Sequence, residues 1–204
     1  MIIERYDYFL LDLDRTIWDF DANANAAMEM LLDKWNPPIG DRNIFLERYE
    51  VINRRLWDDY EAGRIAKEYL RRERFHQTLR DHYGIDDADA AEQMGSDYLD
   101  FMALGDILMP GAREVLEAIA ARDGKMAIVS NGFKEVQYRK LRVSKIDHFF
   151  RAVMISEEVG VHKPDPLIFQ KALEALCGEG VEIDEKIKAR TIMIGDDYPN
   201  DIVG

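Results

Sequence analysis

Four short runs of uninterrupted apolar residues punctuate the chain, at 8–11, 126–129, 152–155 and 191–194. Each is continuous rather than alternating, which predicts strands buried on both faces. Between the last three lie segments with apolar positions at helical spacing: 112–121 after Pro110-Gly111, 134–143 after Asn131-Gly132, and 167–177 after Pro164-Asp165-Pro166. Strand alternating with helix predicts an α/β fold built on a doubly wound parallel sheet. The stretch between Leu11 and Met126 is much longer than one crossover needs, and it carries helical patterns only. Ala27, Leu31 and Trp35 share one face before Pro37-Pro38, and Phe45, Tyr49, Ile52 and Leu56 share another up to Gly63. A third helix is predicted over 66–83, ending at Gly84, and a fourth over 88–103, capped by Asp86-Asp87. The predicted organisation is therefore an α/β core from 1–17 and 107–204 interrupted by an all-helical insert over 18–106. Internal repeats and low-complexity tracts are absent from the sequence.

Composition narrows the partners. The chain has 204 residues, 47% of them apolar, enough for one sizeable core and a smaller lobe. Its 27 Lys and Arg face 40 Asp and Glu, a net charge of −13 that disfavours a nucleic acid polymer or an anionic membrane surface as partner. No run approaches the roughly 20 apolar residues of a membrane span, and no basic segment followed by a long apolar stretch opens the chain. A lone cysteine, Cys177, excludes an intramolecular disulfide and is expected at a buried helix position. These features predict a soluble, cytoplasmic protein acting on a small molecule, with the oligomeric state left open.

Each predicted strand ends in a group suited to phosphate chemistry. Asp12 and Asp14 follow the first, Ser130-Asn131-Gly132 the second, Lys163 the third, and Asp196-Asp197 the fourth. In an open parallel sheet the carboxyl ends of the strands line the ligand crevice. Taken singly, each has an ordinary structural reading: Asp-x-Asp as a cap or turn, Ser-Asn-Gly as a turn, Lys163 as a loop lysine, Asp196 as the start of a helix. Their order and common edge favour chemistry. Two clustered carboxylates repel unless a cation neutralises them or one holds a proton. Asp12 could attack phosphorus to form an aspartyl-phosphate, with Asp14 protonating the leaving alkoxide and later activating water. Hard oxygen ligands suit Mg2+, and Asp12, the backbone carbonyl of Asp14 and the carboxylate of Asp196 could supply three of them. The Ser130 hydroxyl and the N–H groups of Asn131 and Gly132 could hold phosphate oxygens, with Lys163 adding charge. His76, His82, His148 and His162 lack the spacing of a histidine metal site.

On these residues the chain resembles the haloacid dehalogenase superfamily over essentially its whole length. Asp12-Leu13-Asp14-Arg15-Thr16 matches the first motif, Ser130-Asn131-Gly132 the second, Lys163-Pro164 the third, and Gly195-Asp196 with Asp201 the fourth. The resemblance implies a Rossmann-like core, a type 1 helical cap, a Mg2+ cofactor, and supporting roles for Thr16 and for Asp201, which would orient Lys163 and metal-bound water. Asp14 sets the chain apart from the dehalogenases themselves, which lack an acid there. Trp18-Asp19-Phe20, Leu56-Trp57-x-x-Tyr60 before Gly63, Arg71 to Phe75, and Ser130-Asn131-Gly132-Phe133 resemble the pyrimidine 5′-nucleotidase branch. The implied activity is a phosphatase for nucleoside 5′-monophosphates, with sugar phosphates or phosphoglycolate as alternative esters. Trp57 fits either the cap core or a substrate contact, and Arg71 and Arg74 are expected on a helix face.

Two departures from the family pattern stand out. Arg15 sits where Asp or Gly is usual, and strand alternation would point it away from the aspartates. The chain also stops at Gly204, as the helix after the fourth motif begins, whereas relatives continue with a further strand and helix; a trimmed version of a longer protein is expected. A catalytically impaired binding protein is the competing reading these departures support. A receiver domain would share the aspartates, lysine and Mg2+ but lacks a long helical insert after its first strand.

Overall fold

The protein is described by a computed structural model over residues 2–178 and 180–203. Its sheet has strands β1 (Tyr8–Leu11), β2 (Lys125–Ser130), β3 (Phe150–Ile155) and β4 (Thr191–Ile194), in the order β3-β2-β1-β4. Every neighbouring pair is parallel, with Leu10 opposite Ala127 on one side and Met193 on the other. Register follows from burial on both faces. Leu10, Ala127 and Val129 turn to one side, where Ile168, Ala172, Leu173 and Leu176 of the helix Pro166–Cys177 cover them. Phe9, Leu11, Met126 and Ile128 turn to the other side and are as deeply buried. Burial of each such side chain contributes about 1.5–3 kcal/mol, so a one-residue slip is strongly disfavoured.

Helices alternate with the strands as the sequence predicts. In chain order they are α1 (Phe20–Trp35), α2 (Arg42–Glu61), α3 (Lys67–Tyr83), α4 (Ala88–Met102), α5 (Ala112–Ala120), α6 (Lys134–Val143), the single turn α7 (Ser156–Val159), α8 (Pro166–Cys177) and α9 (Glu185–Ala189). Asp165 caps α8 by accepting from Leu167 N at 2.9 Å, with Pro166 in the first turn, where a missing N–H costs nothing. Cys177 ends α8 half-buried, less enclosed than its expected place inside a helix. Among the described residues no helix is long and apolar enough to cross a membrane. The fold is an α/β core with a Rossmann-like parallel sheet and an inserted helical domain.

The chain divides into two compact units, Asn25–Met102 and the remainder. Residues 18–24 and 103–106, inside the insert expected from sequence, pack instead with the α/β unit. Trp18 is wholly buried there and its Nε1 donates to Gly105 O at 3.1 Å. Asp19 N donates to Ile107 O at 3.0 Å, and Asn23 Nδ2 to the same oxygen at 2.9 Å, so the outgoing and returning chains are bound side by side.

Within the helical unit, Phe45, Tyr49, Ile52 and Leu56 of α2 form the buried face that their spacing predicts. Tyr49 meets Phe75 of α3 with ring centroids 5.0 Å apart, and Phe75 meets Tyr98 of α4 at 5.7 Å. Arg74 is not on an open helix face as expected. It is buried, its guanidinium 4.9 Å from the Tyr98 ring centroid and 5.4 Å from that of Phe75, because two aromatic faces offer a cation a favourable dry surface. Trp57 is half-buried, edge-on to Tyr60.

Candidate active site

All of the strand-end groups named from sequence lie in the α/β unit, at the carboxyl edge of the sheet. Asp12 extends the ladder one step past β1, its N–H donating to Ile194 O at 2.9 Å, which seats its carboxylate at the mouth between β2 and β4. The chain then turns. Arg15 N donates to Trp18 O at 2.9 Å and Trp18 N to Leu13 O at 2.8 Å, so residues 13–18 fold into a tight loop. Asp14 is therefore aimed by a turn and not by continued strand alternation.

Arg15 adopts φ 62°, the left-handed region that favours glycine, which accounts for the smaller residue usual at this place. Its side chain turns to α1, donating through Nη2 to Asp21 Oδ1 at 2.7 Å, with the guanidinium 4.5 Å from the Phe20 ring centroid. The outward direction expected for Arg15 is what is found, though the turn produces it.

Lys163 is the cation at the centre. It is buried, and its Nζ donates to Asp12 Oδ1 and to Asp201 Oδ1, each at 2.6 Å. Asn131 braces the lysine's backbone from both sides: Lys163 N donates to Asn131 Oδ1 at 2.8 Å, and Asn131 Nδ2 donates to Lys163 O at 3.2 Å. This clamp between the second and third strand ends is a role for the Asn131 side chain that sequence reading did not anticipate. Asp201 Oδ2 accepts from Asp197 N at 3.0 Å. Its carboxylate lies so close over Gly195 that a Cβ there would overlap it, which explains the glycine.

Carboxylate oxygens of Asp12, Asp196 and Asp201 all lie within 4.8 Å of one another, two of the residues buried and Asp196 exposed. Two of these carboxylates share the Lys163 ammonium, and Asp196 adds a third negative charge beside them. Burial pushes the Asp12 carboxyl up to about 7, with Lys163 opposing the rise and Asp14 and Asp201 adding repulsion. Burial also raises Asp196. Lys163 is held above the ordinary lysine range: burial pulls it down, but Asp12 and Asp201 outweigh that. A cluster with excess negative charge and hard oxygen donors fits a divalent cation of the Mg2+ kind. Asp201, expected only in support, belongs to this carboxylate cluster, whereas Asp14 contributes its side chain elsewhere.

Asp14 is gripped by α6. Lys140 Nζ donates to Asp14 Oδ1 at 2.6 Å and Gln137 Nε2 to Asp14 Oδ2 at 2.8 Å. Gln137 Nε2 also reaches Ser130 Oγ at 2.7 Å, and Gly132 N donates to the same oxygen at 3.1 Å. The Ser130 hydroxyl thereby keeps its own proton to donate, while the Gly132 N–H, expected to face phosphate, is engaged within the loop. A Cβ on Gly132 would overlap the Gln137 carboxamide, so a larger residue there would push that group out of its place. Thr16 Oγ1 is buried without a hydrogen-bond partner among the described residues. Sequence reading missed Gln137 and Lys140. The signal was present: polar residues three apart on the buried face of a helix that begins just after Ser130-Asn131-Gly132.

A family model for haloacid dehalogenase-like hydrolases matches residues 6–204. The chain belongs to this family and is an enzyme of the hydrolase class. The pyrimidine 5′-nucleotidase PynA of Streptococcus pneumoniae is 31% identical over 199 residues, 98% of this chain and 79% of that protein. The pyrimidine 5′-nucleotidase YjjG of Escherichia coli is 29% identical over 200 residues, 98% of this chain and 81% of its own. The solved structure of the HAD-hydrolase YfnB from Bacillus subtilis, bound to magnesium, superposes with a TM-score of 0.82 at 28% identity, covering 97% of this chain and 83% of that one.

Proposed function

We propose that the protein is a Mg2+-dependent phosphatase for small phosphate monoesters, with nucleoside 5′-monophosphates as the favoured substrates. The observation that carries this reading is the buried Lys163 joining Asp12 and Asp201, with Asp196 beside them and a second, separately held carboxylate at Asp14. Magnesium bound to a structural relative and the nucleotidase names of two sequence relatives support the cofactor and the ester class. The helical unit Asn25–Met102 is read as the cap that selects the ester.

Asp12 is the nucleophile: its Oδ1 is held by Lys163, and Oδ2 attacks phosphorus to give an aspartyl-phosphate. As the P–O bond to the leaving group breaks, Asp14 delivers a proton to the departing alkoxide. Asp14 then takes a proton from water, whose oxygen attacks phosphorus and releases inorganic phosphate and the Asp12 carboxylate. Lys163 and the Ser130 hydroxyl steady charge on the phosphoryl oxygens, and Asn131 keeps Lys163 in place. Mg2+, held by Asp12, Asp196 and the Asp14 carbonyl, would supply the positive charge that lets two anions approach. Asp201 and Thr16 support the site, Asp201 by fixing Lys163.

The direct test measures phosphate release from a panel of nucleoside monophosphates and sugar phosphates with Mg2+. Asp12→Asn is expected to reduce turnover by at least a thousandfold, since it removes the nucleophile. Turnover within tenfold of wild type would overturn the assignment. Faster turnover of sugar phosphates than of every nucleotide would move the substrate class while leaving the chemistry intact.

A further inference from the structure

Lys140 and Gln137 lie outside every motif read from the sequence, and both are almost wholly enclosed. Each carries a cost. Burial pulls the Lys140 ammonium below the ordinary lysine range, with Asp14 opposing. Gln137 Oε1 is buried without a partner among the described residues, so its desolvation is uncompensated. A leucine or methionine at either position would fill the same volume without those penalties. What the two polar groups have in common is Asp14: one donates to each of its carboxylate oxygens, from positions one helical turn apart. The lysine is held in turn by aromatic faces, its Nζ 4.1 Å from the Trp18 ring centroid and 5.6 Å from that of Phe20. Trp18 is itself locked by its bond to Gly105 O. The carboxylate therefore has a two-point clamp with a rigid backing, as expected of a group that must meet a reacting atom within a few tenths of an ångström.

We infer that Lys140 and Gln137 are positioning residues that hold the Asp14 carboxyl for proton transfer, with Trp18 as the backing of the lysine. This rests on the reading of Asp14 as the acid/base. The role makes a distinction that general structural support does not. Proton delivery matters for an alkoxide leaving group, as in a nucleoside monophosphate, and little for p-nitrophenolate, which departs without help. Loss of alignment should therefore scale with leaving-group basicity.

The experiment compares kcat/KM for a nucleoside monophosphate and for p-nitrophenyl phosphate in wild type, Asp14→Asn, Lys140→Met and Gln137→Met, with thermal melting to verify folding. Lys140→Met is expected to lose about 30- to 100-fold on the nucleotide and less than about fivefold on the aryl ester, with KM within about threefold. Gln137→Met should show the same pattern more weakly, and it carries the test if Lys140→Met does not fold. Equal losses on both esters, or no loss, in the folded variants overturns the inference while Asp14→Asn retains the leaving-group pattern. Absence of that pattern in Asp14→Asn itself overturns the acid/base reading instead.

Discussion

Replacing Asp12 by asparagine should stabilise the metal-free protein at alkaline pH. Asp12 is buried against Lys163, with Asp14 and Asp201 nearby, and its carboxyl is raised from 3.8 to about 7. A carboxyl raised on folding favours the protonated form, so its contribution to stability is fully present below the unfolded value and is lost as pH rises through about 7. At roughly 1.36 kcal/mol per pH unit, the interval from 3.8 to about 7 amounts to about 4 kcal/mol. Relaxation around the charge makes this a ceiling, and about 2–4 kcal/mol is expected at pH 8. Asparagine matches the neutral carboxyl in shape, and Lys163 retains Asp201 as partner. The assay is urea unfolding of both proteins in EDTA from pH 4 to pH 8, where the difference between them cancels the titration of groups remote from Asp12. The variant should gain on the wild type as pH rises, and the gap should close near pH 4. Added Mg2+ should restore the wild type and leave the variant unchanged. A variant no more stable than wild type at pH 8 in EDTA, or a gap that does not depend on pH, would refute the burial argument.

Gly132→Ala places a methyl group where the Gln137 carboxamide lies, so Ser130 loses its bracing; kcat/KM should fall about tenfold or more with the melting temperature lowered by only a few degrees, and unchanged kinetics would show that the Gln137–Ser130 contact is dispensable. Arg15→Gly removes an exposed ion pair of about 0–1 kcal/mol and relieves a left-handed backbone that costs a β-carbon-bearing residue about 1 kcal/mol, so stability should move by less than about 1 kcal/mol in chemical denaturation. Activity of the same variant should stay within threefold; a tenfold fall would mean that Arg15 serves the aspartates and not Asp21.

The sheet was legible in the sequence because its strands are apolar runs, although burial on both faces holds only for the central β1 and β2, while β3 and β4 at the sheet edges are largely half-buried. The first and fourth runs match β1 and β4 in full, and β2 and β3 each exceed the second and third runs by two residues. The edges of the insert were less legible. Helical periodicity marks which face of a segment is apolar but not which body it joins, and Trp18 is drawn into the α/β unit by Gly105 on the returning chain. Arg74 was misread for a related reason: a cation can be buried where an aromatic face of its own helix meets one from another helix, and no local pattern reports that meeting.

The amino-acid sequence by itself determined the parallel sheet, the helical insert and the ordered series Asp12, Asp14, Ser130, Lys163, Asp196, because each of these is punctuated locally by the end of an apolar run. Tertiary structure decided how those groups are held. Lys163 reaches Asp12 across 151 residues and Asp201 across 38, while Lys140 and Gln137 reach Asp14 across 126 and 123. Contacts of that separation leave no periodic trace, since they exist only once the parallel register has brought all the strand ends to one edge and set α6 beside the first turn.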